Sequence, residues 1–127
     1  MLSTPIVSMN WANQKLERKN QFHCQRLWMI SFSISQLEIH HATLITFEIT
    51  GSVTTPKEAF SIELPKVPLD QGVILSGRGP IWFFARLVHY YHPARWIAVH
   101  DPRIGYIVVQ SHCKERYEGE ILREAVL

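Results

Sequence analysis

Residues Gly72 to His112 read GVILSGRGPIWFFARLVHYYHPARWIAVHDPRIGYIVVQSH, and the order of signals in this stretch decides the fold. Val73 to Ser76 is a short apolar run that fits a buried strand. It ends at Gly77-Arg78-Gly79-Pro80, where glycine permits tight backbone geometry and proline suits the first turn of a helix. The spacing predicts a helix from Pro80 to about Tyr91, which Pro93 stops. Trp96 to His100 reads as a second buried strand. Asp101-Pro102-Arg103 and Gly105 make a turn, and Ile104 to Ser111 is a third strand that His112 terminates. A strand–helix–strand unit joins parallel strands, whereas the short turn at Pro102–Gly105 reverses the chain.

The polar residues sit at the joints, where scaffolds present functional groups. Arg78 beside two glycines at a helix start combines a bidentate fork with free backbone N–H groups, a plausible phosphate site. The same pattern also fits an ordinary tight βα turn with a solvated arginine. His89 and His92, three apart on the helix end, fit a shared metal or substrate, or side chains that cap the last turn. Asp101 either forms a turn before Pro102 or, with the histidines, ligates a metal. Parallel strands place Gly77–Pro80 and Asp101 at one end of the sheet, and His89, His92 and His112 at the other. One protomer therefore splits its polar groups, and assembly is expected to reunite them.

Outside this stretch, Ile30/Phe32/Ile34 and Ile45/Phe47/Ile49 alternate with polar residues, the mark of half-buried strands. Phe60/Ile62/Leu64 show the same alternation and are expected to form a further strand between Pro56 and Pro65. His40 and His41 fall in the turn between the first two strands and are expected to be solvated. Residues 119–126 suit a short closing strand or helix. Residues 1–28 have no sustained period and are expected to be a tail or extension, leaving 29–127 as the domain. The fold class expected is α/β, a compact single domain with a mixed sheet and one principal helix.

The 127 residues are 46% hydrophobic and 19% charged, which fits a folded chain. A net charge of +2 is too mild to argue for nucleic acid by itself, but suits a compact anionic ligand held by local positive groups. Cys24 and Cys113 build no disulfide framework, so a reducing, cytoplasmic setting is expected. No apolar run approaches the ~20 residues that span a bilayer, so no membrane partner is expected.

The segments SGRGPIW (Ser76–Trp82) and AVHDPRIGYIVVQSH (Ala98–His112) resemble the small CRISPR-associated ring nuclease family of type III systems. The resemblance covers roughly Met29 to the C-terminus. It implies a ferredoxin-like fold or a distant relative of the Rossmann-type CRISPR sensor domains. It implies a metal-dependent phosphodiesterase that binds and hydrolyses cyclic tetra-adenylate, switching off the antiviral response. The alternatives are a manganese-dependent exonuclease on linear RNA adenylate tails and a non-catalytic cyclic oligoadenylate sensor. The family's pattern assigns ligand binding to Ser76, Gly77, Arg78, Gly79 and Pro80, and catalysis to His92, Asp101 and Arg103. It assigns Mn2+ to His92, Asp101 and His112. The implied partners are cyclic tetra-adenylate or short oligoadenylate RNA and copies of the chain itself: a homodimer, a ligand-linked tetramer or a higher stack, with no DNA. The sequence departs from the family at His100, where a tyrosine is expected, and in its N-terminal extension.

Overall fold

The computed structural model describes residues 7–9, 28–51 and 55–124. Its strands are β1 (Val7–Met9), β2 (Trp28–Leu37), β3 (Ala42–Gly51), β4 (Gly72–Arg78), β5 (Trp96–Asp101), β6 (Gly105–Ser111) and β7 (Ile121–Leu122). Two α-helices interrupt them, α1 (Pro56–Phe60) after β3 and α2 (Ile81–Tyr90) after β4. All seven strands form one mixed sheet in chain order, β1 to β7. The central strands β3, β4 and β5 are parallel, and the remaining neighbours are antiparallel. The expected α/β class, mixed sheet and single principal helix are all present.

The strands follow their alternation. Ile30, Phe32, Ile45, Phe47, Val73, Leu75 and Ile97 point to one face, where Phe83, Leu87 and Tyr91 of the helical layer close the main core. The opposite face carries a smaller cluster, including Ala42, Ile74, Trp96, Ala98, Tyr106, Val108 and Leu122. Neither α-helix contributes to this second face, where His40 of the short 3-10 turn between β2 and β3 meets Tyr106 edge-on. β4 and β5 are apolar on both faces at their starts, as strands in the middle of a sheet should be.

One strand expectation fails. The segment around Phe60 is the helix α1, opened by a capping box: the Thr55 hydroxyl accepts from the Glu58 N–H at 3.3 Å, and the Glu58 carboxylate accepts from the Thr55 N–H at 3.4 Å. Pro56 occupies the first helical turn. Ile62 and Leu64 are buried, but as side chains of an irregular segment packed on the core rather than as a strand. Arg86 fixes that segment by donating to the carbonyls of Ala59 (2.7 Å) and Ile62 (3.1 Å). This segment is the crossover that makes β3 and β4 parallel.

At the N-terminus, Val7–Met9 of the expected tail pairs with Phe32–Ile30 as an edge strand, and β2 begins at Trp28. The other residues before Trp28 lie outside the described residues. His41 is exposed as expected, in a left-handed conformation (φ 54°). His40 is instead half-buried and bonds the Arg123 carbonyl at 2.8 Å. The closing segment adopts the strand alternative as β7.

Candidate functional site

The parallel pairing of β4 with β5 brings Ser76–Pro80 and Asp101 to the same end of the sheet. Within the turn, the glycines have a packing reason. Gly77 has φ +146°, and a Cβ there would stand 2.5 Å from the Phe47 carbonyl oxygen; one at Gly79 would stand 2.7 Å from the Phe47 ring. Arg78 between them is exposed and has no ion-pair partner among the described residues. Pro80 caps α2 without any side-chain hydrogen bond, so the first-turn N–H groups of Ile81 and Trp82 remain available to an anion.

At the same rim, Arg103 grips Asp101. Its Nε and terminal nitrogen donate to the two carboxylate oxygens at 3.2 and 3.1 Å, and its backbone N–H donates to Oδ1 at 2.9 Å. These bonds, the side-chain ones foremost, hold the Asp101 carboxyl below the usual carboxylate range. They use three of about four acceptor sites, leaving one on Oδ2 for a further ligand.

The other end of the sheet holds His92 and His112. Asp101 begins the turn that sends β6 back along β5, so Ser111 pairs with Trp96 and His112 lies beyond it. The His112 Nε2 sits 3.0 Å from the His92 carbonyl, and the His92 Nδ1 sits 3.2 Å from the His89 carbonyl. A carbonyl only accepts, so the His92 ring carries its proton on Nδ1, leaving Nε2 free as a base or ligand, whereas His112 Nε2 is shared between the His92 carbonyl and the Gln110 side-chain amide at 3.2 Å. The rings of His89 and His92 stack 6.1 Å apart.

The five residue steps along β5 span about 16 Å at ~3.3 Å each, which sets the scale separating Asp101 from the two histidines. Two adjoining clefts of about 570 and 580 Å³ lie along this path between α2, β5 and β6. They share Phe84, Val99 and Val109. Asp101 and Arg103 line one, and His89 and His92 line the other. No group of three His, Cys, Asp or Glu side chains among the described residues is placed to hold one metal ion. His92, Asp101 and His112 therefore do not share an ion within one chain.

A further cluster lies on the open face and was not assembled from the sequence. The His100 Nδ1 is 2.9 Å from the Ser76 hydroxyl, and its Nε2 is 2.7 Å from a carboxylate oxygen of Glu124. Tyr106 packs against the ring with centroids 5.0 Å apart. His100 stands out in the sequence beside Asp101, but its link to Glu124 arises only when β7 brings residue 124 back over Tyr106.

A family model described as "CRISPR-associated protein (Cas_csx3)" matches residues 47–123, a span that contains every one of the Ser76–Pro80, His92, Asp101, Arg103 and His112 positions. The chain belongs to the Cas_csx3 family. Its role is CRISPR-associated. An uncharacterized protein of Aquifex aeolicus (strain VF5) is 37% identical over 86 residues, covering 64% of this chain and 77% of that protein. The Cas_csx3 match stops one residue short of Glu124, the outer member of the His100 cluster. No helix among the described residues is long and apolar enough to cross a membrane.

Proposed function

We propose that this protein is a ring nuclease of type III CRISPR systems that binds cyclic tetra-adenylate and cleaves it by phosphodiester transfer. The observation that carries the reading is the rim at Ser76–Pro80 and Asp101, where Arg78, without an ion-pair partner among the described residues, the open helix start and the Arg103-bound carboxylate lie at the same end of the sheet. That combination suits a phosphate whose charge rises during reaction. Family membership supports the CRISPR setting.

In the reaction, a ribose 2′-oxygen attacks the adjacent phosphorus. The O2′–P bond forms, the P–O5′ bond breaks, the departing 5′-oxygen takes a proton from water, and a 2′,3′-cyclic phosphate and a free 5′-hydroxyl result. The free Nε2 of His92 takes the 2′-hydroxyl proton. Arg103 keeps N–H groups beyond those given to Asp101, and these stabilise charge on the phosphoryl oxygens. Asp101 and His92 are far apart in one chain, so the working site is composite, with the two residues supplied by different protomers. The ring's twofold symmetry matches a twofold dimer, and a second dimer closes over it. Manganese belongs to this reading as an ion held between protomers, since no three donors of one chain converge among the described residues.

Incubating the purified protein with cyclic tetra-adenylate and with linear oligoadenylate, with and without Mn2+, tests the proposal. Linear products from the ring, formed faster than the linear RNA is shortened, are expected. Shortening of linear RNA with an intact ring would assign exonuclease activity, and binding without cleavage would assign a sensor.

A further inference from the structure

We infer that Ser76, oriented by His100 and Glu124, accepts a hydrogen bond from a ribose 2′-hydroxyl and so makes the site selective for ribonucleotides over deoxyribonucleotides. This rests on the oligoadenylate reading and names what one residue of that site recognises.

The inference follows from donor and acceptor accounting along the chain Glu124–His100–Ser76. A carboxylate can only accept, so when the His100 imidazole carries one proton the 2.7 Å contact places it on Nε2. Nδ1 is then an acceptor, and the Ser76 hydroxyl 2.9 Å away must donate to it. A serine has one hydroxyl proton. With that proton committed to His100, only the oxygen's lone pairs face outward. Ser76 is therefore unsuited to a phosphate oxygen and suited to a hydroxyl or amino donor. Packing holds this polarity in place: Tyr106 lies against the imidazole, whose side chain is 19% exposed.

The neighbouring position identifies the donor. Ile74 lies in the open-face cluster, and side chains two residues apart on a strand share a face, so Ser76 and Arg78 project on that side of β4, about 7 Å apart. A phosphate on Arg78 brings the 2′-hydroxyl of the same nucleotide close, since O2′ and the 3′-phosphate sit on adjacent ribose carbons. The adenine amino group lies at the far edge of the base. The 2′-hydroxyl is also the group by which proteins tell RNA from DNA.

The test is equilibrium binding, without Mn2+, of cyclic tetra-adenylate and of its all-2′-deoxy counterpart. The unmodified protein should bind the ribose ring roughly five- to tenfold more tightly, the scale of one neutral hydrogen bond. Ser76→Ala should lower affinity for the ribose ring alone, bringing the ratio close to one. Glu124→Gln should also shrink the ratio, because an amide can donate to Nε2, reverse the tautomer and turn the Ser76 proton outward. A merely structural role for Glu124 would leave the ratio unchanged. Arg78→Ala should weaken both rings alike. Equal affinity of the unmodified protein for both rings, or an equal loss for both in Ser76→Ala, overturns the inference while the oligoadenylate reading stands. Failure to bind either ring overturns that reading and the inference with it.

Discussion

Within Ser76–Pro80, packing and recognition are divided between adjacent residues. Gly77 and Gly79 leave room for Phe47 beneath the turn, which frees Arg78 to project without a partner among the described residues. Arg78→Ala should therefore leave folding intact and weaken cyclic tetra-adenylate binding by about 1–3 kcal/mol, the scale of a charge-assisted contact. Calorimetry showing unchanged affinity in the folded variant would remove Arg78 from the site. Asp101 yields a second prediction. Arg103 holds its carboxyl below the ordinary range, so Arg103→Ala should move the titration upward toward that range, as followed by NMR. The sign for stability follows: a depressed carboxyl favours the folded state above the unfolded-state value near 4, and the contribution fades as pH falls through the lower folded value. The Ser-Gly-Arg-Gly-Pro turn, Asp101 and the histidines were all visible in the sequence because each is a local signal. The Ser76–His100–Glu124 chain was not, because Ser76 and His100 lie on different strands, Glu124 follows a third, and only the sheet register joins them.

Among the elements, α2 and its sheet partners were legible because the apolar runs, Pro80 and Pro93 mark their bounds directly. The parallel pairing and the reversal at Asp101–Gly105 followed from connection lengths alone. The failure at Phe60–Leu64 came from weighing alternation above end signals: Thr55-Pro56-Lys57-Glu58 spells a capping box with proline in the first turn, and those local bonds win over a period-two pattern only five residues long. The segment that follows α1 also anchors the end of α2. The buried Tyr91 hydroxyl donates to the Pro65 carbonyl, and burial, with Tyr90 nearby, pushes the phenol well above its ordinary value. A phenol raised in the folded state contributes stability that is fully present below the unfolded value near 10 and is lost as pH rises beyond it. Denaturant midpoints should therefore fall above about pH 10. Tyr91→Phe should cost about 1–3 kcal/mol at neutral pH by stranding the Pro65 carbonyl, and should flatten the alkaline decline. An unchanged alkaline limb in that variant would assign the decline to another group.

At the scale of the whole molecule, the sheet itself sets the requirement for assembly. β5 runs from the histidine end to the aspartate end, and the turn at Pro102 sends β6 back, so no side-chain rotation brings His92 to Asp101 in one chain. If the two act on one phosphate, they come from different protomers. Asp101→Ala and His92→Ala should each abolish ring cleavage while leaving ring binding nearly intact, because Arg78 and the α2 start remain. Mixed after both are purified, the two inactive variants should regain activity. Random association at equal amounts gives about a quarter of composite sites an intact aspartate from one protomer and an intact histidine from another, so recovery should approach about a quarter of the unmodified rate. The mixing ratio adds a signature: recovery should peak at equal amounts and fall symmetrically on either side. Specific activity of the unmodified protein should also rise with concentration through the assembly threshold, since the site forms by mass action. Absence of recovery at every ratio, together with specific activity independent of concentration, would place a complete site within one chain and require Asp101 or His92 to leave the mechanism.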